Sequence, residues 1–406
     1  MYLVQHVQER AISVIKHHLK PVEAATLADS IYRVNEHDPI LLRDFLTQSI
    51  FRQSIGSKPT VMKAHVGGRL IRAATDAFGV MAYGAEGTRY ANDLFLIFRG
   101  TTTANNKADF ITDARLGLSI SAKGKPVHSG FNQTFNSMRK QIDEFVAGQA
   151  FSGRVHCIGH SLGGAVATLA ADWCFPHISK EVVLYTFGQP RVGLVVFSSM
   201  TTLKLGRNNI HRTFNTTDPV PMVPIFPYTH IPFASYGHRL ETNHKINGAE
   251  AHRMSSYLAE LKKLKAGTWT DVPRSKPLFN HEAAIEEYIE SRRNENPMYP
   301  KTFEDIELAI HCIVRKFLKK SVEAINLIGI GVHTFIDFLA KELHRLASLA
   351  NGASKVVRAL MRKIMRILGM PDQLENKNSL QFFTYILKLL VKRANELARK
   401  AIRGIK

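Results

Sequence analysis

A serine held between glycines carries the most chemistry in this chain. Gly159-His160-Ser161-Leu162-Gly163 fits G-x-S-x-G, the sharp strand-to-helix turn that presents a serine hydroxyl while its glycines let the two backbones approach. A hydroxyl attacks a carbonyl carbon only if a base takes its proton and a carboxylate orients that base, and with this turn the chain order is Ser, Asp/Glu, His. The chemistry in view is therefore acyl transfer through a serine. Asp218, in Asn215-Thr216-Thr217-Asp218-Pro219-Val220-Pro221, follows the strand-like run Ile210 to Phe214 and so stands at a strand's carboxyl end, where sites in open sheets lie. His230, His238, His244 and His252 all follow Asp218 and are the candidate bases. The tetrahedral intermediate also needs hydrogen-bond donors, and the backbone N–H of Leu162, directly after the nucleophile, is placed to be one.

Positioning these residues needs alternating strands and helices, and the pattern supplies them. The runs Leu94 to Phe98, Val155 to Ile158 and Val182 to Phe187 are short and apolar, and they alternate with helical patterns over Phe131 to Val146 and Leu162 to Trp173. That order predicts an α/β fold with a mostly parallel sheet. Gly163-Gly164-Ala165 puts small residues in the first turn of the helix after Ser161, where it must pack closely and where its dipole faces the developing oxyanion.

Five segments in order resemble the class 3 lipase family, covering roughly residues 23 to 262. Phe98-Arg99-Gly100-Thr101 is similar to that family's oxyanion loop, Asp109-Phe110-Ile111-Thr112-Asp113 to the block after it, and Val127-His128-Ser129-Gly130-Phe131 to the junction before the elbow strand. Gly159-His160-Ser161-Leu162-Gly163-Gly164-Ala165 resembles the elbow, and Thr186-Phe187-Gly188-Gln189-Pro190-Arg191-Val192-Gly193 the segment after the next strand. The resemblance implies an α/β-hydrolase. It implies Asp218 as the orienting carboxylate, through a D-x-V-P block, and His252 as the base, through Ala251-His252-Arg253-Met254-Ser255-Ser256-Tyr257, with a last helix over Met254 to Leu264. It also implies Thr101 as the second oxyanion donor beside Leu162. His230 and His238 flank a loop rich in Pro and Tyr that reads as cleft lining. The fungal members carry a short amphipathic lid after the oxyanion loop. Here Thr102 to Ala108 holds no large apolar residue, the first being Phe110, so strong interfacial activation of the fungal kind is not expected. A lid would be Phe110 to Leu118 or come from another segment.

The 406 residues are 45% hydrophobic and 22% charged, enough to bury proper cores, which excludes disordered and fibrous classes. The expected division is an N-terminal helical segment at 1–22, the hydrolase domain at 23–265, a linker with a short helix at 266–300, and a basic helical domain at 301–406. Cys157, Cys174 and Cys312 show neither paired nor zinc-like spacing, and nothing in the pattern asks for a cofactor or metal. No signal-peptide core and no apolar run of about 18 residues is present, so cytoplasmic synthesis with peripheral membrane association, or signal-independent secretion, is expected.

The formal net charge is +20, and residues 301–406 hold 20 Lys+Arg against 9 Asp+Glu. Two basic amphipathic helices are predicted there, Ser354 to Leu368 and one capped by Ser379, and they suit an anionic bilayer surface or a bundle with a solvated basic face. Nucleic acid fits less well, because Phe382, Phe383 and Tyr385 cluster apart from the basic residues. The expected function is a serine hydrolase of lipid carboxylic esters, a lipase or phospholipase A. The alternatives are a lipase-like scaffold or a membrane-active protein whose basic helices carry the function.

Overall fold

The computed structural model describes residues 18–34, 60–66, 74–100, 117–148, 152–225, 227–233, 237–241, 247–275, 287–291, 300–317, 335–349, 352–371 and 379–404. In chain order they form α1 (Pro21–Ser30), β1 (Thr60–Val66), β2 (Ala74–Tyr83), β3 (Leu94–Phe98), β4 (Leu118–Ile120) and β5 (Pro126–His128). Next come α2 (Ser129–Asn136), α3 (Arg139–Ala147), β6 (Val155–His160), α4 (Leu162–His177), β7 (Val182–Phe187), β8 (Gly193–Leu194), α5 (Val195–Leu205) and β9 (Ile210–Asn215). The chain continues through β10 (Tyr228–Thr229), β11 (His238–Leu240), α6 (Gly248–His252), α7 (Met254–Lys263), α8 (Pro300–Phe317), α9 (Phe335–Ala347), α10 (Gly352–Ile367) and α11 (Leu380–Arg403).

The main sheet runs β1-β2-β3-β6-β7-β9-β11. Its first two pairings are antiparallel, and from β3 to β11 every pairing is parallel. Strands β3, β6, β7 and β9 are buried throughout, because helices cover both faces and each side chain of the alternation finds a core. Leu94, Leu96, Phe98, Cys157 and Leu184 enter one core with α2 and α4, while Phe95, Ile97, Ile158, Tyr185 and Phe187 enter the other with α1 and α7. This is an α/β-hydrolase architecture with a helical C-terminal region.

The helical pattern over Phe131 to Val146 resolves into α2 and α3, broken at Ser137 and Met138. Ser137 Oγ donates to Thr134 O at 2.7 Å, and Met138 is fully buried at the bend, so packing interrupts a periodicity that runs on in the sequence. Residues 266–275 continue along the hydrolase: Trp269 Nε1 donates to Leu19 O at 2.7 Å, and Ser275 N to Gly237 O at 2.8 Å.

The apolar residues of α8, α9, α10 and α11 belong to the same continuous core as the α4 side of the sheet, joined through Val220, Met222 and Val223. Their stripes are therefore occupied by protein. Ser379 caps α11 as the sequence predicts, its side chain accepting from Phe382 N at 3.2 Å. Lys363 departs from the expected basic face. It is buried, and its ammonium donates to Tyr288 O at 2.6 Å and Ser291 Oγ at 2.8 Å, satisfying carbonyls at the end of the 287–290 helical turn.

Buried histidines recur in the α1-side face. His211 lies between His18 Nδ1 (3.1 Å) and His238 Nε2 (3.4 Å) and stacks on Trp269 with ring centroids 4.3 Å apart. Burial holds His156, His211 and His230 below the ordinary imidazole range and takes His238 down to about 4, with Arg274 adding to the last. Between pH 6.5 and the lowered folded-state values the unfolded chain binds more protons at these positions than the folded chain does. Folding free energy therefore falls with acid, by up to about 1.4 kcal/mol per pH unit for each such histidine. Urea midpoints at pH 7.5 and 5.5 should differ clearly, the lower value at pH 5.5, and equal midpoints would show that these rings take protons in place.

Candidate active site

Strand β6 ends at His160, α4 begins at Leu162, and Ser161 is the whole turn between them. Its backbone sits at φ 55°, ψ −126°, a conformation L side chains rarely hold, and it persists because its surroundings over-determine it. Ser161 N donates to Phe187 O at 3.0 Å, and Ser161 O accepts from Gly164 N at 2.9 Å. Side chains are excluded on both flanks. A Cβ on Gly159 would collide with the carbonyl of Gly163, and one on Gly163 with that of Phe98.

Two parallel strands, β7 and β9, and the short α6 then bring the rest of the site to the same end of the sheet. Beyond β9, Asn215 Oδ1 accepts from Thr217 N at 3.2 Å, and the turn carries Asp218 back toward the end of β7. There Gly188 has φ 54°, and a Cβ on it would stand 2.8 Å from Asp218 Oδ2 and 3.1 Å from His252 Nδ1. His252 ends the five-residue α6, which is capped by Asn247 Oδ1 accepting from Glu250 N at 2.9 Å.

The structure brings Ser161, His252 and Asp218 into one hydrogen-bonded line. His252 Nε2 lies 2.9 Å from Ser161 Oγ, and His252 Nδ1 lies 2.7 Å from Asp218 Oδ2, with all three residues buried. An ionised carboxylate only accepts, so Nδ1 carries the proton and Nε2 is the open lone pair facing the serine hydroxyl. The carboxylate is fixed from two further directions, by Tyr257 Oη donating to Oδ2 at 2.6 Å and Val220 N to Oδ1 at 2.9 Å.

A second histidine holds the first. His160 Nε2 donates to the carbonyl of His252 at 2.7 Å, which leaves its Nδ1 to accept from Tyr32 Oη at 2.6 Å. Burial, and then the neighbouring His252, keep the His160 pKa well below the usual imidazole range. Tyr32 Oη also hydrogen-bonds the backbone of Gly100, so the segment after α1 ties the end of β3 to the elbow. Tyr32 and His160 were not singled out by sequence reasoning. Tyr257 stood within the quoted histidine block, whose spacing was the available signal.

The other candidate bases go elsewhere. His230 Nε2 donates to Pro221 O at 2.7 Å, and His238 Nδ1 to Val272 O at 3.3 Å. Thr101, His244 and residues 102–116, where the fungal lid interval falls, lie outside the described residues. Leu162 stands directly after Ser161 at the first position of α4, buried, where the helix's first N–H groups have no intrahelical partner. Among the described residues, no group of three or more His, Cys, Asp or Glu could hold a metal ion. As a whole, the arrangement can deprotonate a hydroxyl, hold the resulting imidazolium and present an oxygen nucleophile.

Residues 95–228 match the family model Lipase (class 3). The secreted mono- and diacylglycerol lipase 1 of Fusarium solani is 31% identical over 188 residues, 43% of this chain and 52% of that protein. A lipase of Rhizomucor miehei is 31% identical over 140 residues, 32% of this chain and 37% of that protein. The chain thus spans about half or less of the length of these relatives. Among solved structures, a lipase from Rhizopus microsporus var. chinensis superposes with a TM-score of 0.38 and 21% identity, over 59% of this chain and 84% of that one.

Tyr257→Phe removes the donor to Asp218 and leaves Asn215 N, which gives its hydrogen bond to Tyr257 Oη at 3.1 Å, without that acceptor. Burial of both groups sets the expected cost at about 1–3 kcal/mol of unfolding free energy. Tyr228→Phe, whose hydroxyl makes an exposed 3.3 Å bond to Gly117 O, should cost under about 0.5 kcal/mol. Urea unfolding of the two variants checks the contrast, and equal costs would contradict the buried network.

Proposed function

We propose that this chain, which carries a class 3 lipase segment at residues 95–228, hydrolyses carboxylic esters of lipids through an acyl-enzyme on Ser161. The unbroken line from Asp218 through His252 to Ser161 carries this reading. The similarity to fungal lipases, secreted mono- and diacylglycerol lipases among them, supports the substrate class. Ser161 Oγ attacks the ester carbonyl as its proton passes to His252 Nε2, and the carbonyl π electrons move onto oxygen. The N–H of Leu162 stabilises that oxyanion, with Thr101 assigned beside it by family resemblance. Collapse expels the alcohol, which takes the proton from His252. Water, deprotonated by the same nitrogen, then attacks the acyl-enzyme. As the bond to Ser161 Oγ breaks, His252 returns the proton to that oxygen and the fatty acid leaves. Asp218 keeps its proton off throughout and steadies the imidazolium.

The basic region favours anionic lipid assemblies, phospholipids included, over soluble esters. The apolar faces of α10 and α11 are spent on the core, so a surface would be met by charge rather than by insertion. Lys355, Arg366, Lys388 and Lys392 remain exposed, and each cation near an anionic surface contributes about 1 kcal/mol. No helix among the described residues is long and apolar enough to cross a membrane.

Two measurements test this reading. Ser161→Ala should abolish labelling by a fluorophosphonate and lower p-nitrophenyl ester turnover by several orders of magnitude, with His252→Ala costing about as much. Surviving label would remove Ser161 from its role. Arg366→Glu combined with Lys392→Glu should weaken binding to anionic vesicles and slow hydrolysis of their lipid, leaving soluble-ester turnover within twofold. High salt should reproduce that loss by screening. If neither treatment changes the ratio of vesicle to soluble activity, the basic faces do not dock on lipid.

A further inference from the structure

His252 is carried by a helix too short to hold itself. Five residues cannot recover the cost of nucleating a helix, and one Asn cap does not replace the missing turns, so α6 depends on what packs against it. One side rests on the neighbouring catalytic turn: a Cβ on Gly248 would stand 3.1 Å from Cδ of Pro219, the residue after Asp218. A second contact is with α11. Gly404, at the end of that helix, lies so close that a Cβ on it would collide with Cβ of Ala249. Arg253, the residue after His252, donates through Nη2 to Gly404 O at 3.3 Å. The preceding turns of α11 bury Ala394, Leu397, Ala398, Ala401 and Ile402, and the helix also packs on Val220–Met222 beside Asp218. One helix, far outside residues 95–228, thus touches the turns presenting both the base and its carboxylate.

We infer that the end of α11 is the positioning element of the base turn: by holding Ala249 and Arg253 it sets where His252 Nε2 stands relative to Ser161 Oγ. This rests on the acyl-enzyme reading above and adds to it a part of the chain that touches no substrate. The geometry explains why a glycine stands at 404. Its backbone, with φ −82°, would accept any residue, so the requirement comes from the contact with Ala249 and not from backbone freedom.

The test uses the full chain. Gly404→Ala crowds the contact and should lower kcat for a short soluble p-nitrophenyl ester at least tenfold with KM within twofold. Fluorophosphonate labelling of Ser161 should slow in parallel. The low-field proton NMR signal expected in the unaltered protein from the His252 N–H shared with Asp218 should broaden or vanish in the variant. Combining Gly404→Ala with Ala249→Gly removes the crowding and should restore the signal and most of kcat. Taking kcat per folded protein, with the folded fraction read by circular dichroism, separates positioning from general loss of stability. Should Gly404→Ala fail to fold, Ala249→Gly alone opens the contact and should likewise reduce kcat without raising KM. Unaltered kcat and NMR signal in the folded variants would overturn the inference. An unaltered protein that is neither labelled at Ser161 nor active on esters would instead overturn the acyl-enzyme reading.

Discussion

The imidazole of His252 must satisfy partners on opposite sides at once, and most of the molecule is arranged around that demand. With Asp218 at 2.7 Å on one nitrogen and Ser161 at 2.9 Å on the other, the relative placement of three separate turns is fixed to a few tenths of an ångström. Parallel strands meet the coarse part of this requirement, because β6, β7 and β9 end at the same edge of the sheet. The fine part falls to contacts that tolerate no added atom. Gly188 leaves room for the Asp218–His252 pair, Tyr257 fixes the carboxylate, and His160 fixes the backbone from which the imidazole hangs.

How much of this was legible in the sequence follows from the range over which each requirement acts. The elbow was legible because its steric need is local: glycines two residues either side of Ser161 are what that turn demands, and the apolar run before it is a strand wherever it lies. The strands from Leu94, Val155, Val182 and Ile210 were legible from the same short-range pattern. Asp218 and His252 needed chain order and family resemblance, since nothing near either residue announces its partner. Tyr32 and His160 meet across 128 positions, and no local pattern encodes that contact. The break between α2 and α3 was missed for a related reason. Periodicity reports which face is apolar, whereas the bend at Met138 comes from what that face packs against.

The C-terminal helices show the same limit in another form. An apolar stripe opposite a basic face reads identically whether the stripe enters a bilayer or a core. In the structure the stripes of α10 and α11 complete the core of the sheet, and Lys363, one of the cations of the basic helix predicted over Ser354 to Leu368, turns inward to serve a helix end. What remains outward is charge, which acts at a distance and is weakened by salt. Apolar burial by these helices therefore goes to the core, and on the proposed reading any attraction to an anionic surface would be left to electrostatics.

The neutrality of His160 ties the site's chemistry to its burial. Its ring centroid is 4.8 Å from that of His252, close enough that two positive imidazoles in a buried setting would repel strongly. On the proposed mechanism His252 becomes positive each time Ser161 attacks, so a charged His160 would oppose the step it helps to position. Burial prevents this by keeping His160 unprotonated, and the accepted hydrogen bond from Tyr32 selects the tautomer that donates to the His252 carbonyl. The same desolvation makes the neighbouring buried histidines a cost to folding in acid. An arrangement that supports base chemistry near neutral pH thus loses stability as pH falls, from a single physical cause acting on rings inside and outside the site.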